Sequence, residues 1–129
     1  MSKTAITSPE LTPPVGPFSQ AIEIDGFLYL SGQVGQDPTT GKLTPGGIAA
    51  ETQQVFTNAA AVLRAAGMGF DDVISVRIFL TRIEDYQAVN AIYARQFNEP
   101  FPARTAIGVA ALPLGASVEI DMIAKGAAL

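Results

Sequence analysis

The sequence predicts an α+β domain: a mixed five-stranded sheet with two helices against one of its faces. Two observations carry that expectation. Runs with a period of two and runs at helical spacing follow in the order strand, strand, helix, strand, helix, strand, strand, which lacks the strict alternation of a doubly wound fold. At 129 residues the chain has the size of one domain, spanning 1–129, with one core.

Each element has a local cause. Ser8 to Pro17 carries Pro9, Pro13, Pro14, Gly16 and Pro17 and reads as an extended arm. Phe18–Asp25 and Phe27–Val34 are rich in strand formers, and the Asp25-Gly26 between them signals a two-residue hairpin. Gln36–Gly47 holds turn formers and reads as a surface loop. From Ile48 to Ala66 the apolar residues, Val55, Phe56, Ala59, Val62 and Leu63 among them, fall on one helical stripe that Gly67 terminates. Val73–Leu80 alternates, with Ile74, Val76, Ile78 and Leu80 on its inner face. Glu84–Phe97 returns to helical spacing through Val89, Ile92, Tyr93 and Phe97, and Pro100 and Pro102 close it. Arg104–Ala110 and Ser117–Ala124 are the last two strands, joined through Leu112-Pro113-Leu114-Gly115.

Strand alternation assigns faces. Thr105, Ile107 and Val109 form one apolar set and Val118, Ile120 and Met122 another, which leaves Arg104, Ala106 and Gly108, and Ser117, Glu119 and Asp121, on the opposite side. Arg104 and Glu119 are thereby expected to share a face, together with Phe27, Tyr29, Ser31 and Gln33 of the hairpin. Two helices with right-handed crossovers cover only the other side. A surface of this mixed character suits a subunit interface that encloses a ligand pocket, so a homo-oligomer is expected.

Composition narrows the chemistry further. Without cysteine or histidine the chain offers no thiolate, no imidazole base or ligand and no Ser-His triad. A net charge of −4 disfavours nucleic acid and anionic membranes, both of which reward Lys and Arg. Met1-Ser2-Lys3-Thr4-Ala5 leads into no apolar signal region and no apolar run is long enough to span a bilayer, so a cytoplasmic protein is expected. The acidic pairs Asp71-Asp72 and Glu84-Asp85 stand at element starts and read as caps rather than metal ligands, and neither metal nor cofactor is expected.

Five phrases then stand out: Gly16-Pro17-Phe18-Ser19-Gln20-Ala21, Ser31-Gly32-Gln33-Val34, Val89-Asn90-Ala91-Ile92-Tyr93, Phe101-Pro102-Ala103-Arg104-Thr105 and Leu112-Pro113-Leu114-Gly115-Ala116-Ser117-Val118-Glu119-Ile120. In order and spacing they resemble those of the RidA (YjgF-like) family over nearly the whole chain. The resemblance implies a chorismate-mutase-like subunit, a homotrimer and three clefts between neighbouring subunits. It also implies cofactor-independent hydrolysis of reactive 2-enamine and 2-imine acids, such as 2-aminoacrylate and 2-iminobutanoate, to 2-keto acids and ammonia. PLP-dependent dehydratases release these intermediates.

The same resemblance designates site residues. Arg104 would hold the substrate carboxylate through paired charge-assisted bonds; its structural alternative is an ion pair at a surface or interface. Glu119 would hold or deprotonate a water, or else form a salt bridge to Arg104 or across the interface. Ser31 and Gly32 are candidate substrate contacts, with a strand bulge as the plainer reading. Asn90 is in a family phrase, and helix capping or packing is its more ordinary role. Phe18 departs from the commoner Tyr of the family, which removes a hydroxyl and points toward more apolar substrates. Ala106 stands where many relatives carry Cys, leaving only its backbone carbonyl to contact water. Two rival functions remain, a non-catalytic trimer that binds 2-keto acids and RNA cleavage, an activity attributed to some relatives. The acidic balance and missing histidine argue against the latter.

Overall fold

In the structure, a computed structural model that describes residues 2–126, eight regular elements follow one another. They are β1 (Thr4–Ile6), β2 (Ala21–Ile24), β3 (Phe27–Val34), α1 (Gly47–Ala65), β4 (Val73–Leu80), α2 (Tyr86–Tyr93), β5 (Ala103–Gly108) and β6 (Val118–Lys125). The strands form one sheet in the order β1-β2-β3-β6-β4-β5, in which β4 and β5 are parallel and all other neighbours antiparallel. The sheet is mixed, as expected, but has six strands rather than five. β1 is three residues long and pairs on the outer edge of β2, too short for any period to show in the sequence.

The hairpin forms as its turn residues demand. Asp25 and Gly26 both take positive φ, 54° and 82°, the type I′ geometry whose twist matches the flanking strands. At the end of α1 the N–H groups of Gly67 and Met68 donate to the carbonyls of Arg64 and Leu63, closing the helix where the sequence places its end. The second helix is shorter than its periodicity. After Tyr93 the N–H groups of Arg95 and Gln96 donate to Ile92 and Tyr93, so the chain tightens into three-residue turns, and Phe97 reaches the core from beyond the helix.

Val55, Phe56, Val62 and Leu63 of α1 pack on Leu28, Leu30, Ile78, Val118 and Ile120, all nearly inaccessible to solvent. Both helices lie on this face. β3 jams against α1 at its end, where a Cβ on Gly35 would stand 2.7 Å from the Glu51 carbonyl oxygen and 2.8 Å from its Cα. Gly35→Ala is therefore expected to cost about 1–3 kcal/mol through overpacking, read as a lower Tm. An unchanged Tm would mean that α1 can withdraw from the strand without cost.

Three face assignments change, and local irregularity explains two of them. The β4–β6 register shifts between Val73 and Ser75, so Val73 is buried and Ile74 is 46% exposed. The β3–β6 register shifts between Leu30 and Gln33, which pairs Gln33 with the buried Ile120 instead of leaving it beside Tyr29. The third change bears on function. Arg104 and Ala106 lie opposite Val76 and Ile78, on the helix side, whereas Glu119 and Ile107 both lie opposite Phe79, on the open side. Arg104 and Glu119 thus occupy opposite faces. Apolar character misassigns β5 because it is an edge strand, and its Ile107 remains 45% exposed on a face that no helix among the described residues covers.

Candidate functional site

The residues singled out from sequence gather into two places. Phe18, Ser31, Gly32 and Glu119 line one cavity of 360 Å³, with Leu114 at its edge and residues 11–15 of the arm along its side. The arm is held there by buried Gln20, whose Oε1 accepts from the Ser8 N–H at 2.7 Å and whose Nε2 donates to the Thr12 carbonyl at 3.4 Å. Ser31 Oγ donates to the Ser19 carbonyl at 2.6 Å, so its hydroxyl joins the β3 bulge to the Phe18 segment. Gly32 is required by close approach. A Cβ there would collide with the Glu119 carboxylate, with the carboxyl carbon only 2.8 Å away.

Glu119 is half-buried and takes part in no ion pair among the described residues. Burial, and secondarily the negative charge of Asp121, hold its carboxyl above the ordinary range. Asp121 itself is engaged by Arg77 in a two-point bridge, Nε to Oδ1 at 3.0 Å and Nη2 to Oδ2 at 2.6 Å. Of these two acids, Glu119 is the one without a cationic partner among the described residues.

The second place is built on α2. Arg104 Nη1 donates to Asn90 Oδ1 at 2.7 Å and Nη2 donates to the Tyr86 hydroxyl at 2.6 Å. Its guanidinium carbon lies 4.7 Å from the Tyr93 ring centroid and 5.4 Å from that of Tyr86. Asn90, Tyr93, Ala94, Phe101, Pro102 and Arg104 line a cleft of 420 Å³. Every one of these partners is neutral. Arg104 forms no salt bridge among the described residues. A half-buried guanidinium with its charge uncompensated is suited to a planar anion.

Ala106, two residues on, packs against the core on the same side as Arg104. Asn90 does not cap its helix; it accepts from Arg104. Sequence pattern assigns no role to Tyr86 or Gln20 and places Tyr93 on the apolar stripe of its helix. The signal for the first was present: residues 86, 90 and 93 fall on one face of a helix, with Arg104 the only cation in the adjacent phrase. Among the acidic pairs, Asp72 Oδ2 accepts from the Gly69 N–H at 2.9 Å, the cap its position implied.

Sheet order and helix placement define the class, a mixed α+β domain with its helices on one face and the designated site residues divided between two separate pockets. A family model described as endoribonuclease L-PSP matches residues 9–126. A protein of Capra hircus named 2-iminobutanoate/2-iminopropanoate deaminase is 47% identical over 110 residues, covering 85% of this chain and 80% of its own length. One of the same name from Dermatophagoides farinae is 44% identical over 124 residues, covering 95% and 97%. A crystal structure from Yersinia pestis, described as a member of the conserved Rid protein family, superposes with a TM-score of 0.93 at 43% identity, covering 97% of this chain and all of that one. The chain belongs to this L-PSP family, the RidA family of the resemblance.

Proposed function

We propose that the chain is a 2-iminobutanoate/2-iminopropanoate deaminase, hydrolysing 2-imine and 2-enamine acids to 2-keto acids and ammonia. The observation that carries the reading is Arg104, a cation held by neutral partners beside an open cleft in a chain whose relatives at 44–47% identity bear that name. Two parallel bonds to a substrate carboxylate contribute roughly 1.5–3 kcal/mol each.

The acting unit is a homotrimer of chorismate-mutase-like subunits. Arg104 and Glu119 lie on opposite faces, so Arg104 of one copy meets the Phe18, Ser31, Gly32 and Glu119 cavity of a neighbour. The open face supports this assembly, for it leaves Tyr29 46% and Ile107 45% exposed, apolar area that a second copy would cover.

Within the shared cleft the carboxylate of the substrate sits on Arg104. Glu119 accepts a proton from water as the oxygen attacks the carbon of the protonated imine, C=NH2+, which gives a tetrahedral carbon carrying hydroxyl and amine. Glu119 returns that proton to the amine, the C–N bond breaks to release ammonia, and the hydroxyl loses its proton to solvent as the C=O of the keto acid forms. Imines of this kind already hydrolyse in water, so positioning and one carboxylate suffice without histidine or cysteine. Phe18 is 56% exposed at the cavity and supplies a ring without a hydroxyl, which favours apolar side chains of the substrate.

A coupled assay tests the reading. A PLP-dependent dehydratase generates the imine, and 2-keto acid release is timed with and without this protein. Acceleration is expected. No acceleration by a protein that still binds 2-keto acids would leave the non-catalytic trimer as the function. Sedimentation at micromolar concentration is expected to give three times the chain mass, and a stable monomer would remove the shared cleft. The net charge of −4 and absence of histidine give RNA cleavage no support.

A further inference from the structure

We infer that Tyr86 is a positioning residue: its hydroxyl, with Asn90 Oδ1 and the Tyr93 ring, fixes the plane of the Arg104 guanidinium so that its unused N–H groups face the cleft. The inference rests on the reading of Arg104 as carboxylate anchor. A guanidinium on a long side chain has several rotatable bonds, and holding it in one plane before substrate arrives lowers the cost of binding. Residues 86, 90 and 93 occupy one face of α2 at spacings of four and three. From that face two acceptors engage the two terminal nitrogens separately, at 2.7 and 2.6 Å.

The third support is an aromatic face that cannot itself turn. Tyr93 is 5% exposed, and its ring packs at 4.6 Å from that of Phe97 and 6.1 Å from that of Phe56. Its own hydroxyl has no hydrogen-bond partner among the described residues, and burial pushes the phenol up from its usual range despite the opposing charge of Arg104. Tyr93 thus meets Arg104 with its ring, and the directional contacts come from Asn90 and Tyr86. Tyr86 is half-buried, and its hydroxyl acts on substrate only through Arg104.

Tyr86→Phe isolates that hydroxyl. A carboxylate clamp serves ground state and transition state alike, so KM for the imine is expected to rise about tenfold with kcat within about twofold. Tm and assembly should be unchanged. Calorimetric binding of 2-ketobutyrate, the keto acid counterpart, should weaken by the same factor. In an Arg104→Lys background, which lacks the fork, Tyr86→Phe should have no further effect. Unchanged KM and keto acid affinity in Tyr86→Phe overturn the inference, as does a full additional loss in the Arg104→Lys background. If the wild-type protein binds 2-ketobutyrate but turns over no imine, and Tyr86→Phe still weakens that binding, deamination fails and the positioning role stands. A wild-type protein that neither binds nor turns over overturns both.

Discussion

Arg104→Ala is expected to lower kcat/KM by at least about a hundredfold while the protein stays folded and assembled. Among the described residues the hydrogen bonds of Arg104 go to Asn90 and Tyr86 and its guanidinium lies over the Tyr93 ring, and none of these depends on the guanidinium for burial of a charge. Water can reach the half-buried hydroxyl and amide that it leaves behind. What is lost is the pair of charge-assisted bonds to a desolvated carboxylate, worth several kcal/mol at about 1.4 kcal/mol per decade of rate. Arg104→Lys keeps the charge and loses the planar fork, so it should fall between wild type and the alanine variant. Steady-state kinetics with sedimentation of the same samples checks this. Dissociation or unfolding of Arg104→Ala would make the residue an interface ion pair.

Glu119→Gln should cost between about a hundredfold and ten-thousandfold, chiefly in kcat, because the amide cannot take the proton of the attacking water. The pH profile separates this role from simple binding. Burial and then Asp121 raise the Glu119 carboxyl, and only its ionised form accepts a proton. Wild-type activity should therefore fall as pH drops, beginning above the ordinary carboxylate range, and the glutamine variant should lack that limb. An identical acid limb in both proteins would assign it to the substrate and leave Glu119 without a role as base.

How much of this was legible beforehand depended on whether each element was regular. The Asp25-Gly26 turn, the α1 stripe and the inward set Val118, Ile120 and Met122 form where pattern places them, because turn chemistry and a half-buried period are local properties. Irregularities are not local in that sense. The shifts at Val73–Ser75 and Leu30–Gln33 insert or skip a residue against a partner strand, which a single strand's sequence does not record. The site followed the same rule. Of the seven candidates, Phe18, Ser31, Gly32, Asn90, Arg104 and Glu119 line the two cavities, and Ala106 lines neither. Their division between two faces is not legible in the pattern, because Ile107 is an apolar residue of an edge strand that points away from the core of the chain.

That division has a genetic consequence. In the proposed assembly an active centre belongs to a junction between two chains rather than to either one. A cell expressing one allele with Arg104→Ala and another with Glu119→Gln would build mixed trimers. Wherever the second product lends its arginine to the first product's glutamate, an intact cleft results. Two inactive proteins would thus complement each other on mixing, whereas two alleles damaged at the same residue would not. A fully inactive mixture after subunit exchange would show instead that each chain carries its chemistry alone.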